Sequence, residues 1–143
     1  MLKPCKHLSN FDSCLQVCLR RNQTTLNILH EGFRQSDVKE GEFGRGLYFA
    51  RDPRLAAVYS SAGRLLVANV YLGNVMEVTV DARSRTLRPG PTFQSLQCPG
   101  RLRLQPECGL DLVEFVVFDH RQAVPLGIIE YDENSSDDGP PDE

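Results

Sequence analysis

No apolar run in this chain approaches the roughly 20 residues that a membrane-spanning helix needs, so no membrane span is expected. The first twenty residues hold Lys3 and Lys6 but no apolar stretch of the secretory kind, and no secretory signal is expected either. Cysteine is odd in number, at positions 5, 14, 18, 98 and 108, and lacks the spacing of a disulfide framework. With no signal, that predicts free thiols in a reducing compartment, cytoplasmic or nuclear. His7 lies among Cys5, Cys14 and Cys18, yet the spacing fits no usual structural zinc pattern, so no metal is expected. No internal repeat is visible. The remaining histidines, His30 near a helix C-terminus and His120 in a turn, suggest no chemistry of their own.

What is present is ordinary for a globular protein. The 143 residues suffice for one domain and not two, with 41% apolar and 24% charged residues. The stretch Asp132 to Glu143 holds six acids and no base, so the remainder carries +3 against the chain's −3. That excess is mostly arginine spread along the sequence. It favours an anionic ligand only weakly, reads more readily as an ordinary solvated arginine surface, and gives no nucleic-acid footprint.

Along the chain, residues 1–19 show no clear period. Asn22 to Glu31 is predicted as a short helix closed by Gly32, with Phe33 placed for the apolar contact that often follows such a cap. Residues 34–46 read as loop, Leu47–Ala50 as a strand, and Asp52-Pro53 as the start of a helix running toward Gly63. Arg64 to Leu72 is an apolar strand stopped by Gly73. Val75 to Asp81 alternates, with Met76, Val78 and Val80 on one face. Residues 82–110 read as a long loop, Leu112–Phe118 and Leu126–Tyr131 as strands, and the acidic tail from Asp132 as disordered. The sum is a strand-rich α+β domain with two short helices.

Three features bear on chemistry. Gly41-Glu-Phe-Gly-Arg-Gly46 packs three glycines into six residues, which lets a loop bend and approach a ligand closely. It leads into Tyr48, with Tyr59 on the following helix, a neighbourhood suited to a flat aromatic ligand with a phosphate-bearing tail. Tyrosines on strands and helices are also common packing residues. Glu114 is surrounded by apolar side chains in Leu112-Val-Glu-Phe-Val-Val-Phe118, and both faces of that strand look buried. A carboxylate there must find partners or shift its pKa, which makes it a functional candidate. The alternative is a glutamate on an edge strand facing water.

These pieces, in this order, resemble the catalytic domain of the poly(ADP-ribose) polymerase family of ADP-ribosyltransferases. The residues carrying the resemblance are Ile28-Leu-His-Glu-Gly-Phe33, Phe43-Gly-Arg-Gly-Leu-Tyr-Phe-Ala50, Tyr59, Val70-Tyr-Leu-Gly73, Glu114-Phe-Val-Val-Phe-Asp119, Gln122, Pro125 and Ile128-Ile-Glu-Tyr131. The domain so delimited is 22–131, between a divergent segment 1–21 and the tail 132–143. The resemblance implies a split pair of antiparallel sheets that grips NAD+ as substrate. It makes Tyr48 the tyrosine of the family's His-Tyr-Glu triad, Tyr59 the tyrosine stacked on nicotinamide, and Glu114 the glutamate that contacts the nicotinamide ribose. Gly44, Gly46, Phe49 and Ala56 fall at nucleotide-contacting positions, Ala56 where many members place a serine.

One departure stands out. The family's triad histidine sits in a His-Gly-Thr or His-Gly-Ser motif before the first helix, a place that falls near Arg20, and no His-Gly pair occurs in the chain. The resemblance therefore implies either a transferase that attaches a single ADP-ribose to a protein acceptor, acting as a monomer, or a pseudoenzyme of the same fold that binds without transfer.

Overall fold

The computed structural model describes residues 25–59, 63–78, 91–99 and 112–132, together with the backbone of 11–18; of Tyr59 it describes the backbone alone. The remaining residues, with the expectations for His7, Arg20, residues 22–24, 79–90 and 100–111 and nearly all of the acidic tail, lie outside this description.

Among the described residues there are eight strands: β1 Phe11–Cys18, β2 Lys39–Gly41, β3 Gly44–Ala50, β4 Arg64–Tyr71, β5 Val75–Glu77, β6 Ser95–Cys98, β7 Glu114–Val117 and β8 Ala123–Glu130. They join in the order β5-β6-β7-β3-β1-β4-β8, with β2 pairing on β3. Every described pairing is antiparallel except β5 with β6. The class is α+β. The sheet has two arms, one containing β3 and β7, the other β4 and β8. They meet at β1, which joins β3 through only two pairs, Val17 with Ala50 and Cys18 with Phe49.

Helix α1, Thr25–Glu31, buries Ile28 against the sheet and closes as expected, the Gly32 N–H donating to the Ile28 carbonyl at 2.7 Å. Phe33 follows it into the main core, its ring edge-on to Phe49 at 5.9 Å between centroids. Helix α2, Pro53–Tyr59, starts where Asp52 accepts the Arg54 N–H at 3.0 Å, as expected of an N-cap. Leu55 and Ala56 are buried against Ala50 and Leu65.

Several expectations need correction. Residues 34–46 are not a loop throughout: Gln35–Asp37 forms a 3-10 turn, and β2 pairs with a β3 that begins at Gly44. This strand is polar and three residues long, so it carries no apolar period, and the hairpin defines it. Residues 82–110 contain β6, which adds in parallel beside β5. In β5 the alternation is incomplete, since Val75 and Met76 are both buried, Val75 in the main core and Met76 in a second cluster. The last strand begins at Ala123 rather than Leu126 and includes Pro125. Proline is tolerable because β8 ends the sheet path.

One side chain ties the arms together. The Gln122 amide oxygen accepts from the Phe118 and Asp119 N–H groups at 3.2 and 3.0 Å. Its nitrogen donates to the Tyr71 and Gln94 carbonyls at 3.1 and 2.8 Å. The oxygen thus bonds at the end of β7, and the nitrogen at the end of β4 and just ahead of β6. Among the described residues no helix is long and apolar enough to cross a membrane.

Candidate active site

Glu114 opens β7, which lies between β3 and β6, so the edge-strand alternative is excluded. Register places Ala50 opposite it on one side and Cys98 on the other. Paired residues share a sheet face, and alternate residues along a strand share it too. Glu114 and Val116 on β7 therefore lie on one face with Gly46, Tyr48 and Ala50 on β3 and Leu96 and Cys98 on β6. None of Glu114 is open to solvent. A carboxylate withdrawn from water in this way costs several kcal/mol (order of magnitude) unless partners offset it.

Ala50 links the site to α2. It is fully buried and packs in one cluster with Ala56, so the helix approaches the same face. Tyr59 ends that helix, three residues beyond Ala56. The structure thus sets Glu114 beside Ala50, clusters Ala56 with Ala50, and places Tyr48 and Gly46 farther along the same face of β3. Phe49 does not join them. Its side chain belongs to the opposite face and packs in the main core, with Phe33, Leu66 and Phe115. The alternation of β3 puts it there, one residue out of phase with Tyr48.

Each glycine of the loop has its own cause. Gly44 carries φ +102°, a backbone state that side-chain-bearing residues seldom adopt. Gly46 lies where β3 and β7 approach closely, and a Cβ there would sit 2.7 Å from the Val117 carbonyl oxygen and overlap Val116. Gly41 faces the Tyr48 ring. The Tyr48 hydroxyl folds back on the hairpin, accepting from the Phe43 N–H at 3.0 Å and donating to the Gly44 carbonyl at 2.6 Å. Phe43 is fully buried in the second cluster, against which Tyr48 packs.

Cys98 was not among the expected site residues. It is free and buried, and its thiol is pushed well above the ordinary range, first by burial and then by Glu114 and Glu42. Both carboxylates thus act on one buried thiol. Only the strand pairing reveals this neighbour, since Cys98 and Glu114 are far apart in sequence. An open cavity of about 620 Å³ lies toward the far end of β7, lined by Asn69, Tyr71, Gln94, Asp119, Arg121, Gln122 and Val124, and reaches neither Glu114 nor Tyr48. Among the described residues no group of three or more histidine, cysteine or carboxylate side chains is placed to hold a metal.

Residues 20–102 match the family model of the poly(ADP-ribose) polymerase catalytic domain. The match covers more than half of the chain, and the chain belongs to that family of ADP-ribosyltransferases, whose members use NAD+ as substrate. It includes β2, β3, α2, β4, β5 and β6 and stops before Glu114. No curated protein matches the chain.

Proposed function

We propose that this domain transfers a single ADP-ribose unit from NAD+ to a protein acceptor and releases nicotinamide. The observation that carries the reading is Glu114: a carboxylate kept in an interior strand, on the face shared with Tyr48 and Ala50. A structural strand position gains nothing from such a charge, whereas strongly desolvated carboxylates concentrate at functional sites.

The bond from nicotinamide nitrogen to the ribose carbon breaks, and the base leaves with the electron pair. Positive charge builds on that carbon, as in glycoside hydrolysis. The role assigned to Glu114 is to stabilise this charge and to hold the ribose hydroxyl, which strengthens as the charge develops. Tyr48 and Tyr59 hold the nicotinamide ring through contacts that the bound substrate and the departing base make alike, which is binding rather than chemistry. The acceptor's nucleophile then bonds to the ribose carbon and gives up its proton.

A second reading rests on two observations of its own. The chain has no His-Gly pair, and Glu114 is wholly covered, as a residue with a structural role would be. Under it the domain is a binding module without transfer. Mass spectrometry of the protein incubated with NAD+ and cell lysate separates the two. Adducts that require Glu114, absent in Glu114→Ala, support transfer. A folded chain that gives none, and whose melting temperature NAD+ does not raise, supports the module.

A further inference from the structure

Gly41 is glycine for a reason its backbone does not supply. The positive-φ glycines among the described residues are Gly32, Gly44, Gly63 and Gly73; Gly41 is an ordinary strand residue paired with Gly44. What it lacks is room. A Cβ built on Gly41 would fall within the Tyr48 ring, 2.5 Å from its hydroxyl oxygen and 2.6 Å from Cε2. Those atoms cannot yield easily, because the same hydroxyl is held on both sides by the Phe43 N–H and the Gly44 carbonyl. Moving the ring off a new methyl group breaks both bonds at once. The ring also packs against the cluster of Phe43, Met76, Leu96 and Val116, all of them buried, so its shift disturbs that packing.

We propose that Gly41 is a positioning residue: the bare backbone at 41 and the two turn bonds hold the Tyr48 ring in one orientation, and through that ring Gly41 sets the affinity for NAD+. The inference rests on the function proposed above. Tyr48 holds the nicotinamide end of the substrate before and during cleavage alike, so disturbing it removes uniform binding. Such a loss raises KM and leaves kcat nearly unchanged.

The test is a double-mutant cycle of Gly41→Ala and Tyr48→Ala, read by melting temperature and by steady-state kinetics with NAD+. Gly41→Ala alone is expected to raise KM about tenfold or more with kcat within about threefold. In the Tyr48→Ala background, where no ring is left to displace, the same substitution should change neither KM nor melting temperature appreciably. A Tyr48→Phe variant, which keeps the ring and loses both hydroxyl bonds, should raise KM by a smaller factor, and it serves should Gly41→Ala fail to fold. Equal effects of Gly41→Ala in both backgrounds overturn the proposal, as does a fall in kcat at unchanged KM. Wild-type protein that neither binds nor consumes NAD+ sinks the nucleotide reading and the claim on affinity with it. The melting cycle then still shows whether Gly41 and the ring are coupled.

Discussion

Glu114→Gln is the perturbation that isolates the charge. Glutamine keeps the shape of the side chain, which matters because position 114 has no exposed surface and is flanked in register by Ala50 and Cys98. A shorter replacement would leave a void that no solvent-side adjustment fills. Two effects then compete. Removing the charge lifts a desolvation cost of several kcal/mol (order of magnitude) and also removes what its partners returned, so the net change in folding free energy should stay within about 1–2 kcal/mol. Catalysis has no such offset. A preorganised group aimed at developing charge contributes about 2.7–4 kcal/mol, so kcat should fall about 10²- to 10³-fold. Nicotinamide release at saturating NAD+ measures the second quantity, and urea unfolding measures the first. A kcat within about threefold of the parent, in a protein of unchanged stability, would refute the catalytic assignment. Loss of folding with the isosteric change would instead mark Glu114 as structural.

Three further outcomes follow from the described contacts. Gly46→Ala places a methyl group against Val116 and the Val117 carbonyl, so it should cost about 1–3 kcal/mol and lower the urea midpoint by about 1 M; an unchanged midpoint would show that β3 and β7 can part freely. Asp52→Ala removes the cap of α2 and the carboxylate that Arg54 grips at 2.8 Å, and should cost about 0.5–2 kcal/mol in thermal unfolding, with Asp52→Asn recovering part of it. The Cys98 thiol, raised by burial and then by Glu114 and Glu42, stays protonated in the folded chain above pH 9.0, where an unfolded thiol ionises. Stability should therefore fall as pH rises past that point, by about 1.4 kcal/mol per unit for this group, and Cys98→Ala should remove that slope when the two proteins are compared.

How much of this was legible in the residues depended on how local the cause was. The Asp52-Pro53 start and the Gly32 stop are written in adjacent residues, and both ends form as expected. The burial of Glu114 follows from the apolar side chains on either side of it. The causes that are distant in sequence were not legible. β6 is a strand because β5 and β7 flank it, and nothing in Ser95–Cys98 announces that. β2 is three polar residues made regular by the hairpin that follows. The resemblance put Phe49 with Tyr48 among the nucleotide-contacting positions, yet neighbours on a strand face opposite ways and the Phe49 side chain packs in the core. Gly41 looked like turn chemistry, and its actual cause is an aromatic ring seven residues on.

β1 bears on the missing histidine. The family motif is expected near Arg20, outside the described residues, and the strand that ends just before it, Phe11–Cys18, pairs through its last residues with Ala50 and Phe49. Its backbone thus completes a row running Val17, Ala50, Glu114, Cys98 across four strands. Eight residues form it, and none is a histidine. The chain holds no His-Gly pair to supply the motif's chemistry. Each hydrogen bond lost to the substrate costs about 1–3 kcal/mol, so if the chain binds NAD+ as proposed, lacking the histidine's contact and the glycine's amide bonds should weaken that binding by roughly a hundredfold or more. On the transferase reading those bonds hold the substrate, whereas the charge at Glu114 acts when the bond breaks. A transferase built this way should show a high KM for NAD+ and a kcat that still depends on Glu114. At low NAD+ it would be indistinguishable from an inactive module, and only near saturation would the Glu114→Gln difference separate the two.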